Sequence, residues 1–129
     1  MECWREARAL VREIYKVTFT KDFNKDFGLA RQVQRAATSV MANIAEGFVR
    51  KSDKEFVQFL FVSMSSAAEV QSHLYVALDL NYISDEQFRT IYSQADKTAR
   101  IISALIKYLR ASFTSHGSAK ETRQTRQTE

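Results

Sequence analysis

Proline is absent from the sequence, and only three glycines and one cysteine occur among its 129 residues. Because proline interrupts helices, its absence favours long uninterrupted ones. The single cysteine, Cys3, excludes a disulfide within the chain and is typical of a reducing compartment. No apolar run approaches the roughly 18 residues of a membrane-spanning helix, and the first residues lack the apolar stretch of a secretory signal. We therefore expect a cytoplasmic protein with no membrane partner.

Residues that carry chemistry are also scarce. The sequence has two histidines, His73 and His116, whereas a two-metal site in a helical bundle needs paired Glu-x-x-His motifs. Glu69 and His73 can share a helix face, but no second pair accompanies them. Cys3 has no neighbouring base to activate it, and neither a Walker loop nor a Rossmann glycine pattern occurs. We expect no metal, no cofactor and no enzymatic activity.

Four segments carry apolar residues at three- and four-residue spacing, the pattern of a helix with one buried face. They cover residues 3–18, 27–48, 53–80 and 85–112. Asp26 is a suitable N-cap for the second segment, and Ser52 and Ser84 each begin a capping box. Residues 19–25 are predicted to form a loop, with Phe19 and Phe23 held over the end of the fold.

Amphipathic helices joined by short connections are typical of an up-down-up-down bundle. The sequence therefore predicts an all-α fold, an antiparallel up-down-up-down four-helix bundle over residues 1–113. Residues 114–129 offer one apolar side chain, Ala119, and are predicted to form a disordered C-terminal tail.

Polar residues in the second segment recur at helical spacing beside its apolar stripe. The members of this polar ridge are Arg35, Ser39, Asn43, Glu46 and Arg50. Its middle members are short, which suits a close contact with the third helix, and antiparallel packing would bring Arg35 opposite Glu69. We expect a structural polar network of Arg35, Ser39, Asn43, Glu46 and Glu69, including an Arg35–Glu69 ion pair. A ligand-binding or catalytic role is the alternative.

The same segment resembles a known protein family. The likeness rests on the run Asn43-Ile44-Ala45-Glu46-Gly47 and covers about residues 4–110. Further matching positions are Gly28-Leu29, Gln32, Arg35-Ala36, Ser39, Arg50, Phe56, Phe59-Leu60, Ser66 and Glu69. With these residues the chain resembles the small four-helix-bundle proteins named for the intervening sequence of bacterial 23S ribosomal RNA genes. It departs from the family pattern at Thr20 and Met41, where proline is usual, and at Ser65, where glycine is usual.

The resemblance implies a homopentamer, because the family resembles pentameric bundles. Related bundles accompany the reverse transcriptases of diversity-generating retroelements. By analogy, the resemblance also implies RNA or a reverse transcriptase as a partner.

Charge is distributed unevenly around the net value of +4. Residues 55–88 contain five acidic and no basic side chains, so the third helix is acidic between two basic ends. Stripes of basic residues on a helix are typical of phosphate-binding surfaces. The candidate nucleic-acid-binding residues are Arg5, Arg8, Arg12, Lys16, Arg50, Lys51 and Lys54, with Lys120, Arg123 and Arg126 in the tail. A solvated helix face, partly neutralised by nearby glutamates, is the alternative interpretation of the first stripe.

The third helix is apolar on two sides. Phe61, Val62 and Val76 lie opposite its predicted core face, and a helix that is apolar on both sides is usually covered on both. One four-helix bundle covers a single side, so these residues are predicted to form a subunit interface.

Together these patterns predict a non-enzymatic homo-oligomer that binds RNA, or a nucleic-acid enzyme such as a reverse transcriptase, through its basic surfaces. The alternative is a protein–protein scaffold with no nucleic-acid role. Salt distinguishes the two, because phosphate binding weakens steeply as ionic strength rises.

Overall fold

The computed structural model describes residues 1–113, so the predicted tail lies outside the described residues. The described chain is all-helical. Its helices are α1 (Glu2–Thr18), α2 (Lys21–Lys25), α3 (Phe27–Phe48), α4 (Asp53–Asp79) and α5 (Asp85–Phe113). Within residues 1–113, no helix has both the length and the apolar character to cross a membrane.

Three of the four long helices, α3, α4 and α5, begin where the sequence supplies a side-chain cap, whereas α1 begins after Met1 without one. An Asp26 carboxylate oxygen accepts the Leu29 backbone N–H at 3.2 Å, and the Ser52 hydroxyl accepts the Glu55 N–H at 3.2 Å. Ser84 forms a complete capping box, since its hydroxyl accepts the Gln87 N–H at 3.0 Å and Gln87 Oε1 accepts the Ser84 N–H at 2.8 Å. These bonds satisfy amide groups that have no partner within a helix.

The connection over residues 19–25 differs from the predicted loop, because α2 forms one helical turn there. This turn directs Phe23 into the end of the bundle, where the ring is fully buried and stacks on Tyr82 with centroids 5.3 Å apart. Phe19 does not help to hold the connection in place, since it is 67% exposed.

The four long helices form the predicted bundle. Helix α1 packs against α3 and α5, and α4 packs against the same two helices from the other side. On the α3–α4 contact, Ser63 bonds the carbonyl of Val40 and Ser66 bonds the hydroxyl of Ser39, so the two helices run antiparallel. Apolar side chains from all five helices fill the centre.

Glycine is required where α3 and α4 approach most closely. A Cβ atom at Gly47 would lie 2.7 Å from the Cβ of Phe59 and 2.8 Å from a ring carbon of Phe56. Neither distance is compatible with the present packing, so the α3–α4 contact depends on the missing side chain at this position.

Candidate nucleic-acid interface

Helix α1 divides its charged residues between two sides. Two of its three glutamates, Glu6 and Glu13, are engaged on the side that faces α5, whereas Glu2 is exposed at the start of the helix. Glu6 accepts a hydrogen bond from Gln94 Nε2 at 2.8 Å and lies 3.5 Å from Lys97 Nζ. The hydrogen bond from Gln94 and the charge of Lys97 lower the pKa of Glu6 below its usual range. Glu13 forms an ion pair with Lys16 on its own helix, at 3.7 Å.

The arginines of α1 form no ion pair with those carboxylates, although the charge of Arg5 lies close enough to help lower the pKa of Glu6. Arg5, Arg8 and Arg12 are exposed, and within the described chain none of them forms an ion pair. The guanidinium of Arg8 lies 5.9 Å from the ring centroid of Trp4. Lys16, which the sequence grouped with these arginines, lines the cleft between α1 and α5 instead. Three arginines of the predicted stripe are therefore exposed without an ion pair, whereas Lys16 pairs with Glu13 and lines the α1–α5 cleft.

Helix α3 adds two further arginines that the sequence did not assign to this surface. A cleft of about 200 Å³ between α1 and α3 is lined by Tyr15, Arg31, Gln34, Arg35 and Thr38. Both arginines are exposed, and the only acidic side chain of α3, Glu46, is bonded to Arg50 at 2.9 Å. We refer to Arg5, Arg8, Arg12, Arg31 and Arg35 as the arginine face. The four-residue spacing of Arg31 and Arg35 marked a shared side of α3 already in the sequence.

The predicted polar network forms only in its middle. Asn43 Nδ2 donates to the Ser39 hydroxyl at 3.0 Å, and Ser66 donates to the same oxygen at 2.8 Å. The prediction of an Arg35–Glu69 ion pair is wrong. Glu69 lies 3.3 Å from His73 Nε2 instead, and Arg35 lines the α1–α3 cleft.

Arg35, Glu46 and Glu69 are all exposed, so the outer members of the network are not buried. The reason is helical geometry. Ser39 and Asn43 point toward α4, whereas the other ridge positions of α3 are rotated farther from the contact.

The other predicted nucleic-acid-binding residues of the described chain, Arg50, Lys51 and Lys54, do not all remain available for binding. Arg50 is held by Glu46 and lies 4.8 Å from the centroid of the Phe59 ring. Lys51 and Lys54 are exposed and, among the residues described, neither forms an ion pair. Arg50 therefore supports the α3–α4 corner, and only the two lysines remain available to a phosphate.

A different kind of surface lies on α4. Phe61, Val62 and Val76 are 41%, 48% and 43% exposed, and we call them the apolar outer face. The guanidinium of Arg110 covers part of Phe61, 4.9 Å from its ring centroid. Lys54 is the only basic residue on this helix. The sequence placed these three residues correctly on the outside of the bundle.

Groups that could hold a metal ion or act as a nucleophile are sparse in the described chain. No group of three or more potential metal ligands occurs among residues 1–113. Burial raises the pKa of the Cys3 thiol to about 11, so this sulfur is a poor nucleophile at neutral pH. The cleft between α1 and α5, about 550 Å³ in volume, is lined by polar and aliphatic side chains without a histidine or cysteine.

Comparison with known proteins places the chain in a family. The structure is similar to a solved protein of unknown function from the S23 ribosomal protein family of Bacteroides thetaiotaomicron, with a TM-score of 0.74 and 24% identity. The match covers 81% of this chain and 98% of that one. No curated protein matches the sequence significantly. The family model for the 23S rRNA-intervening sequence protein matches residues 1–104, and the chain therefore belongs to that family.

Proposed function

We propose that this protein is a non-enzymatic homo-oligomer that binds RNA through the arginine face. The observation that carries the proposal is the separation of charge on α1 and α3. The glutamates Glu6 and Glu13 are engaged toward α5 or within α1, and Glu46 is engaged by Arg50. Five exposed guanidinium groups are left on one side of the bundle. A partner rich in phosphate is the kind of molecule that this surface would attract.

The energetic reason is the release of counterions from a nucleic acid. Each phosphate that an arginine neutralises releases condensed cations, so several modest contacts add up to useful affinity. A net charge of +4 is small for one subunit, but a ring of subunits would repeat the arginine face and raise the affinity through multivalency. The family resemblance suggests a pentamer, and RNA bound to a reverse transcriptase is one setting in which such a ring would act.

The apolar outer face supports the oligomeric part of the proposal. Three large apolar side chains that are each more than 40% exposed stand in one helix whose other side is already in the core. Covering such a surface with a second copy of the chain would remove apolar area from water, at about 25 cal/mol for each Å². The same surface supports the alternative, a scaffold that binds only proteins.

A salt titration of RNA binding tests the proposal. If all five arginines of the face contact phosphates of a single strand, log K should fall with log salt at a slope of about −3.5. That slope corresponds to roughly a hundredfold weakening between about 50 and 200 mM salt. Filter binding with the intact oligomer would measure it. A protein that retains no RNA at the lowest salt, while keeping its oligomeric mass, would instead be a scaffold.

A further inference from the structure

Two phenylalanines at one end of the arginine face are largely exposed to solvent. Phe19 is 67% exposed and Phe27 is 71% exposed. Among the described large apolar side chains, only Val49, at 68%, is exposed to a similar degree. Phe19 caps the C-terminus of α1 and Phe27 is the first residue of α3, so the short helix α2 lies between them.

Both rings continue rows that already contain the arginines. Along α1, Arg8, Arg12, Tyr15 and Phe19 follow at spacings of four, three and four residues, which keeps them on one side of the helix. The rings of Tyr15 and Phe19 meet edge to face, with centroids 5.8 Å apart.

Along α3, Phe27, Arg31 and Arg35 follow at four-residue steps of about 6 Å. The α1–α3 cleft, which Tyr15 lines together with Arg31 and Arg35, joins the two rows. Each row therefore leads from guanidinium groups to an aromatic ring at the same end of the bundle.

The carboxylates at this end of the bundle lie outside the two rows. Asp26 is engaged on both oxygens, since one caps Leu29 and the other accepts the Tyr82 hydroxyl at 3.0 Å. Asp22 is exposed on α2 and is flanked by Lys21 and Lys25. Three further acidic residues lie where α4 ends and α5 begins, namely Asp79, Asp85 and Glu86. The positive charge of the surface therefore comes from the arginines along α1 and α3, and the end of the bundle contributes the rings.

We infer that this surface, if the proposed function holds, binds RNA as an unpaired single strand. Its bases would stack on Phe19 and Phe27, and its phosphates would contact the arginines along the two rows and the cleft. Exposed aromatic rings gain little from a duplex, whose base faces are stacked on each other. An unpaired strand presents every base face, and aromatic rings beside a basic groove are the usual means of holding one without reading its sequence.

The test makes two comparisons. The first is between the affinities for single-stranded and double-stranded RNA, and the second is between proteins with an aromatic and with an aliphatic side chain at position 27. The probe is an unstructured, fluorescently labelled RNA of about 16 nucleotides, used alone and annealed to its complement. Anisotropy titrations at low salt would use the wild-type oligomer, Phe27→Leu and Phe27→Trp. Tyr108→Leu is the matched control, since Tyr108 is 53% exposed on α5, a helix that packs against α1 and α4.

The wild type is expected to bind the single strand more tightly than the duplex. Phe27→Leu should weaken single-strand binding about tenfold, the loss of one stacked base, and should leave duplex binding unchanged. Phe27→Trp should restore tight binding, and Tyr108→Leu should behave as the wild type. Because leucine keeps an apolar side chain at this position, the comparison isolates the aromatic ring.

Three results would overturn the inference. Equal affinity for single strand and duplex, with no effect of Phe27→Leu, would leave the proposed function intact and remove the stacking role. A change of oligomeric mass in Phe27→Leu would show that the ring lies between subunits. Failure of the wild type to bind either RNA at low salt would contradict the proposed function itself.

Discussion

The arginine face and the apolar outer face are both exposed helix surfaces on the same core, yet they are built from opposite residues. The arginine face combines five guanidinium groups from α1 and α3, and the carboxylates of Glu6, Glu46 and Asp26 are engaged by other side chains or by the backbone. The apolar outer face lies on α4, a helix with a single lysine and no arginine. We propose a separate partner for each surface, a polyanion for the first face and a second subunit for the other.

The separation of the two faces predicts that charge reversal on α1 affects RNA alone. Arg8→Glu combined with Arg12→Glu removes two phosphate contacts and introduces repulsion, so RNA retention should fall at least about a hundredfold. Both side chains are exposed, so the oligomeric mass should not change. Filter binding and light scattering would measure the two properties.

The control for this variant carries the same change of charge on α5. Arg89→Glu combined with Lys107→Glu alters two exposed residues outside the arginine face, and it should retain most of the RNA affinity. Equal losses in the two double variants would mean that net charge alone matters and that the arginine face has no special role.

A charge introduced on the apolar outer face should affect oligomerisation. Phe61→Glu should dissociate the oligomer, because it would bury a carboxylate where Phe61 and Val62 are proposed to contact a second subunit. The subunit should stay folded, since Phe61 is 41% exposed and the guanidinium of Arg110 lies close enough to form an ion pair with the new carboxylate. Sizing with circular dichroism would show both effects. Phe61→Leu is the control and should keep the native mass, whereas an unchanged mass in Phe61→Glu would disprove the interface.

The close packing of α3 against α4 can be tested by substituting Gly47. Gly47→Ala should lower the free energy of unfolding by about 1–2 kcal/mol, because the overpacking against Phe56 and Phe59 exceeds the gain in helix propensity.

The matched variant Gly28→Ala should have the opposite sign. The nearest atom to a Cβ there is a carboxylate oxygen of Asp26 at 3.9 Å, so the helix gains up to about 1 kcal/mol without a clash. Urea unfolding would compare the two, and an equal effect at both positions would contradict the close packing at Gly47.

The smallest predicted effect concerns the carboxylate of Glu6, which contacts α5. The hydrogen bond from Gln94 and the charge of Lys97 hold the pKa of Glu6 below its ordinary value of 4.5. Such a group stabilises the fold above its unfolded pKa, and this contribution is lost as the pH falls through the folded pKa.

A chemical-shift titration of Glu6 would measure the lowered pKa directly. In Gln94→Leu the value should return toward the ordinary one. A normal pKa in the wild type would contradict the contacts of Glu6 with Gln94 and Lys97.

Much of the fold could be predicted from the sequence, because helical periodicity and side-chain caps are local properties. Asp26, Ser52 and Ser84 cap helices as expected. The short helix α2 could not be predicted in this way, since five residues are too few to show a period. Its formation depends on the burial of Phe23 against Tyr82, which is distant in the sequence.

The candidate site was predicted less completely, because it depends on how the helices are rotated relative to each other. Arg35 lies only a little farther around α3 than Ser39, yet this rotation separates a network buried against α4 from a cleft beside α1. Lys16 similarly follows Arg12 by one turn but lines the α1–α5 cleft. Single-helix patterns identify which residues share a side, whereas the partner of that side is fixed by tertiary packing.

Light scattering on a sizing column, run with RNA at low and at high salt, examines both faces in one experiment. The protein should elute at a multiple of its 14.9 kDa subunit mass under both conditions, five subunits if the family resemblance holds. At low salt the peak should carry nucleic-acid absorbance, and at high salt the RNA should separate while the oligomer stays intact. A monomer at both salt concentrations, or an oligomer that never carries RNA, would contradict this assignment of the two faces.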